Sequence, residues 1–183
     1  DGLLQANLKL VGAIKQPLLT GVINSFKPIR IEKTQFKRIS TNFYADLNNF
    51  VINSLQLLPA AGGQITGDGK IKTQLGESLQ QNRPIDFNNM PLAFNFRAKL
   101  PTEKLIAPYY RFPSQVNVGA IAAQGQVRGT LQNPQAYLQW QTPIASASSA
   151  TDISGAGKVI LANHNLFLRN TEIKVDRGTI NIA

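Results

Sequence analysis

Three stretches of this chain repeat one pattern, and the pattern leaves little room for anything but β-structure. Residues 119–134, GAIAAQGQVRGTLQNP, align without a gap on residues 2–17, GLLQANLKLVGAIKQP. Gly2 meets Gly119, Leu4 meets Ile121, Ala6 meets Ala123, Leu10 meets Val127, Gly12 meets Gly129, Ile14 meets Leu131 and Pro17 meets Pro134. A third copy, GQITGDGKIKTQL at residues 63–75, matches through Gly63, Ile65, Gly69, Ile71 and Leu75. The matched apolar and glycine positions share one parity. A period of two therefore puts them on one face of each strand and sends Lys9, Lys70, Lys72, Gln126 and Arg128 to the other. Glycine weakens a strand, so its return on the apolar face predicts sharp bending or close backbone approach at Gly12, Gly69, Gly125 and Gly129.

Asn133-Pro134 interrupts the alternation, and Ala136, Leu138 and Trp140 resume it, which predicts a strand, a turn and a returning strand. A second similarity joins residues 29–36, IRIEKTQF, to residues 166–173, LFLRNTEI, and again reads as strand, turn, strand. LAFNFRAKL, residues 92–100, alternates cleanly and is a further strand. Between the repeats the rhythm changes. In DLNNFVINSLQLLP the set Leu47, Phe50, Val51, Leu55 and Leu58 has helical spacing, with Thr41 or Asn42 available as a cap. LPTEKLIAPYY predicts one to two helical turns ended by Pro108. SASSATD, residues 146–152, fits a loop or a strand of small residues. The middle repeat departs from the others, since GESLQQNRPIDF replaces the Asn-Pro turn after Leu75.

Enzyme chemistry is poorly supplied. His164, in LANHNLFL, is the sole histidine and falls where a turn is expected, and cysteine is absent, which leaves nucleophile triads and thiolate metal sites without their parts. The ten carboxylates are dispersed. GQITGDGKIKT lacks the spacing of a phosphate loop. The expectation is a non-enzyme without cofactor or metal. Net charge is +9, but only Lys37 and Arg38 are adjacent, so scattered cations predict a solvated face rather than a nucleic-acid site. PYYRFP, residues 108–113, interleaves aromatic and basic residues and reads as a packed or lipid-contacting loop. No run of about 18 apolar residues exists. Both ends fall in strand-like segments, which predicts a slice of a longer chain, with its targeting signals elsewhere and its end strands prone to end-to-end association.

GAIAAQGQVRGTLQNPQAYLQW followed by ISGAGKVILANHNLFLRNTEIKVDRGTINIA resembles the repeats of the AsmA-like TamB family, especially its cyanobacterial members and their chloroplast inner-envelope homologue. Those repeats read as a glycine-led alternating strand, GTL-x-NP, a returning strand, then a G-x-V-x-L hairpin ending in N-T-x-I. The residues here are Gly119 to Leu131, Asn133-Pro134, Ala136 to Trp140, and Gly157 to Ile173. The resemblance spans most of the chain, on motifs of low specificity shared with other AsmA-like proteins. It implies an inner-membrane-anchored protein crossing the periplasm, or the chloroplast intermembrane space, as a long sheet folded lengthwise into a groove (a β-taco). It also implies work beside an outer-membrane barrel of the TamA/BamA type in phospholipid transport and outer-membrane protein assembly.

The fold expected is thus all-β with one or two short helices. It is one repetitive, elongated sheet over residues 1–183, with repeats starting near 2, 63 and 119 and folded into a groove, or else a β-sandwich in which a second sheet covers the same apolar residues. The candidate lining for phospholipid acyl chains is Leu4, Leu8, Leu10, Ile14, Ile65, Ile71, Leu75, Phe94, Phe96, Ile121, Val127, Leu131, Leu138, Trp140, Val159, Leu161, Leu166 and Leu168. The competing expectation is a structural or adhesive module that binds protein through its sheet edges.

Overall fold

The computed structural model describes residues 3–73, 75–102, 104, 116–147, 150–163, 165–175 and 178–182. Within them the repeats fold into antiparallel hairpins. The chain runs through β1 (Leu4–Ala13), β2 (Gln16–Ser25), β3 (Ile29–Ile31), β4 (Thr34–Ala45), β5 (Asn49–Pro59) and β6 (Gln64–Lys72). One short helix, α1 (Leu75–Gln80), precedes β7 (Pro91–Leu100), β8 (Val116–Val118), β9 (Ile121–Thr130), β10 (Pro134–Ala147), β11 (Ala150–Ala162), β12 (Asn165–Val175) and β13 (Gly178–Ile182). The strands form one sheet in the order β1-β2-β4-β5-β6-β7-β9-β10-β11-β12-β13, with β3 beside β4 and β8 beside β10.

The sandwich alternative is not what forms. Substantial contacts run only between hydrogen-bonded neighbours, and no second sheet covers either face among the described residues. The accessible surface is 12348 Å², whereas a compact protein of 20.0 kDa would expose about 8,700 Å². Among the described residues the buried large apolar side chains are correspondingly few, Phe36, Phe43, Pro59, Met90 and Leu100, with Ala145 beside them. This chain spends its apolar residues on a surface rather than on a core.

The first and third repeats end in matching turns. Gly12 pairs with Pro17 and Gly129 with Pro134, and both glycines take the left-handed region, at φ 96 and 97. A Cβ there would lie 2.5 Å from the Gln16 carbonyl oxygen or, in the other turn, from that of Asn133, so the sequence repeat encodes one backbone geometry twice. Gly69 and Gly125 lie outside that region, and their missing Cβ serves ring and backbone clearance instead.

DLNNFVINSLQLLP is not a helix. Asn49–Pro59 forms β5, and Thr41 and Asn42 lie in β4 opposite Leu55 and Ser54 rather than capping anything. The cause is a bulge at Asn53, which separates Ile52 from Leu55 by three residues while keeping both on one face and so imitates helical spacing. A second bulge at Lys37 does the same to Phe36 and Ile39. Asp46 makes the turn into β5: its carboxylate accepts hydrogen bonds from the Asn48 and Asn49 amides, each at 2.7 Å. These bonds, that of Asn48 foremost, hold its pKa below the usual carboxylate value. SASSATD resolves into the end of β10 and the start of β11, with 148 and 149 outside the described residues. Most of LPTEKLIAPYY and all of PYYRFP also lie outside them, as does His164.

Candidate functional site

Tracing the register from strand to strand separates the sheet into two chemically unlike faces. One row runs Leu8, Gly21, Phe43, Ile52, Gly69, Phe94, Val127, Ala136, Leu161, Leu166. A second runs Ala6, Ile23, Thr41, Leu55, Gly67, Phe96, Gly125, Leu138, Val159, Leu168. A third runs Leu4, Ser25, then Ile39, Leu57, Ile65, Ala98, Ala123, Trp140 and Gly157. No row contains a charge. Its hydroxyls are turned back on the backbone: Ser25 accepts from the Ile39 amide at 2.8 Å, and Thr41 donates to the Ser54 carbonyl at 3.0 Å.

Large rings fit this face because glycine sits beneath or beside them. A Cβ on Gly21 would come within 2.6 Å of the Phe43 ring, on Gly125 within 3.0 Å of Phe96, and on Gly155 within 3.2 Å of Trp140. At Gly69 it would collide with the Phe94 ring. Phe43 also packs on Phe50, ring centroids 5.2 Å apart. The rings therefore lie low over the sheet, a device that restores cover to a strand weakened by glycine.

Most of the expected lining residues share this face: Leu4, Leu8 and Leu10 on β1, Ile65 and Ile71 on β6, Phe94 and Phe96 on β7, Ile121 and Val127 on β9, Leu138 and Trp140 on β10, Val159 and Leu161 on β11, and Leu166 and Leu168 on β12. Three do not. Ile14, 99% exposed, and Leu131 occupy turns at the rim, and Leu75 begins α1 rather than ending β6. Sequence reasoning missed Leu19, Ile23, Ile39, Phe43, Phe50, Ile52, Leu55 and Leu57, the contribution of β2, β4 and β5. Cover thins toward the ends of the sheet, where Leu10 is 69% and Leu166 66% exposed.

The opposite face carries the paired-strand charges, among them Lys9, Arg38, Asp68, Lys70, Arg97, Lys99, Arg128, Lys158, Arg169 and Lys174, with cations in excess. It is also where the surface is recessed. A trough of ≈ 820 Å³ crosses β4, β5, β6, β7, β9 and β10, floored by Leu55, Gly67, Phe96 and Gly125. One wall is Ser40, Gln56, Thr66, Arg97, Gln124 and Gln139; the other includes Ser54, Asp68, Asn95, Gln126 and Tyr137. The walls are tied across strands, Gln124 Nε2 donating to Gln139 Oε1 at 3.2 Å, Asn95 Nδ2 to Asp68 Oδ2 at 2.9 Å and Arg128 Nη2 to Asn95 Oδ1 at 2.9 Å. A second recess of ≈ 530 Å³ opens on the same face beside Asn7, Lys9, Thr20 and Tyr44. Both of these recesses thus lie on the polar reverse of the apolar face.

Among the described residues no cluster of His, Asp or Glu could hold a metal ion, and no helix is long and apolar enough to cross a membrane. No family model, curated protein or solved structure matches the chain.

Proposed function

We propose that this sheet is a section of a membrane-bridging protein whose uncharged face carries phospholipid acyl chains along the direction in which the strands stack, with no catalytic step. The observation that supports this reading is the continuity of the apolar face from β1 to β12, without a charge and without a covering layer among the described residues. Burial of such area removes it from water at roughly 25 cal/mol per Å², so a face left open across a whole sheet favours an apolar occupant. Against a bilayer the exchange is close to neutral, because lipid tails and the face are equally apolar, and a neutral exchange lets cargo leave as readily as it enters. The resemblance of the repeats to the TamB family points the same way. It makes an outer-membrane barrel of the TamA/BamA type the proposed partner and the periplasm, or the chloroplast intermembrane space, the proposed location.

Photo-reactive residues at Phe94, Val127 and Leu168 in the full-length protein in cells test it. Each should capture phospholipid, while the same probe at Gln126 should not. Capture at Gln126 equal to that at Val127 contradicts the proposal.

A second reading has one specific support. β1 and β13 each have a single strand neighbour among the described residues, and every residue of both is exposed. Such edges template pairing with another chain, so end-to-end association of copies, or adhesion to a partner strand, is the alternative.

A further inference from the structure

The polar face of an open sheet is ordinarily just hydrated, and scattered lysines on this one are consistent with that. The ≈ 820 Å³ trough is different. It runs across six strands rather than along one, so at about 4.8 Å between strands it extends for roughly 24 Å. Its two walls are set two residues apart; each of the six strands contributes one hydrogen-bonding side chain to the first wall, and β5, β6, β7, β9 and β10 contribute one each to the second.

We propose that this trough binds an extended β-1,4-linked glycan strand lying across the β-strands, about one sugar unit per strand. The inference is independent of the lipid reading, which concerns the other face. The walls are mainly amides and hydroxyls, which donate and accept at once as sugar hydroxyls do. Gln124 and Gln139 are joined by a 3.2 Å hydrogen bond, and Gln139 Nε2 also reaches the Tyr137 hydroxyl at 3.1 Å. These bonds fix the amide orientations before a ligand arrives, which lowers the ordering cost of binding.

Charge excludes other occupants. Among the lining residues Asp68 and Arg97 stand on opposite walls and offset one another, so a nucleic acid would find the cations of this face, Arg128 among them, beside the trough rather than along it. An acyl chain would desolvate the amides without replacing their hydrogen bonds. A peptide strand adds to a sheet edge through free backbone groups, and here the floor lies in the interior of the sheet, flanked by paired strands on both sides.

Titration of the protein with a soluble hexamer of β-1,4-linked N-acetylglucosamine, followed by amide NMR shifts, tests the proposal. Saturable shifts confined to β4 through β10 are expected. The Gln124→Ala, Gln139→Ala double variant should bind about tenfold more weakly at unchanged melting temperature. An α-1,4-linked glucose hexamer should bind far less well. Co-sedimentation with purified cell-wall sacculi separates the sources. Sedimentation of the wild type and not of the double variant assigns the site to a polymer strand; hexamer binding without sedimentation assigns it to a free oligosaccharide. Absence of both, equal binding of the α-linked hexamer, or an unchanged affinity in the double variant overturns the inference.

Discussion

Gly129→Val should lower the stability of this chain by about 2–3 kcal/mol, or roughly 5–10 °C in melting temperature. Gly129 takes φ 97, a region closed to β-branched residues. An added Cβ would also lie 2.5 Å from the Asn133 carbonyl oxygen. The hairpin that follows joins β9 to β10 in the interior of the sheet, so a distorted turn shifts the pairing of Val127, Gly125 and Ala123 with Ala136, Leu138 and Trp140 together. Gly12→Val meets the same local geometry, with φ 96 and the Gln16 oxygen at 2.5 Å. Its hairpin contains the exposed end strand β1, which can fray, so a smaller loss is expected. Differential scanning calorimetry of both variants measures the contrast. A Gly129→Val protein that melts like the parent would remove the repeated turn from the account of the fold.

Val127→Asp should stop acyl transport in the full-length protein while leaving the chain folded. Val127 lies half-buried between Phe94 and Ala136, on a face that among the described residues offers no cation to pair with a carboxylate. The neighbouring Arg128 is held on the reverse, donating to the Phe94 carbonyl oxygen at 2.8 Å. An unpaired carboxylate there either keeps its charge and recruits water or is driven neutral by desolvation, and both interrupt an apolar path. Asp at the centre of a hydrocarbon layer costs about 2.5–3.5 kcal/mol, so passage should slow roughly a hundredfold. Gln126→Asp makes the same chemical change one residue away on the exposed polar face, and transport there should stay within twofold of wild type. Abundance and circular dichroism check that the variants fold. Leu168→Arg, at a position already 47% exposed, repeats the test where folding is least at risk. Folded Val127→Asp protein with undiminished lipid transport would sink the transport reading and favour the adhesive one.

Parity makes much of this legible in the sequence. Gly125, Val127 and Gly129 on one side and Gln126 and Arg128 on the other follow from the alternation alone, and β9 and β10 keep it over their hairpin. The reading failed where the alternation breaks. Ile52 and Leu55 share a face only because Asn53 is extruded, and nothing local in NFVINSLQLL announces a bulge. Leu75 fell out because the middle repeat has Thr73 where the others have Gly12 and Gly129, so the chain leaves the sheet after Lys72 and starts α1. Open sheet and sandwich share one sequence pattern, since each needs a single apolar face, and only the missing second layer separates them. The polar trough was invisible for another reason. Gln56, Arg97, Gln124 and Gln139 are far apart in sequence and become a wall only through cross-strand register.

The central claim is that lipid meets one face of this sheet and not the other. The chain has no cysteine, so single cysteines can be placed along β9 at Ala122, Ala123, Gln124, Gln126 and Val127 and labelled with an environment-sensitive fluorophore. On addition of a phospholipid, emission should shift to the blue at Ala123 and Val127 and stay unchanged at Ala122, Gln124 and Gln126, an alternation with the period of the strand. A shift of equal size at adjacent positions, or one confined to Gln124 and Gln126, would contradict the account.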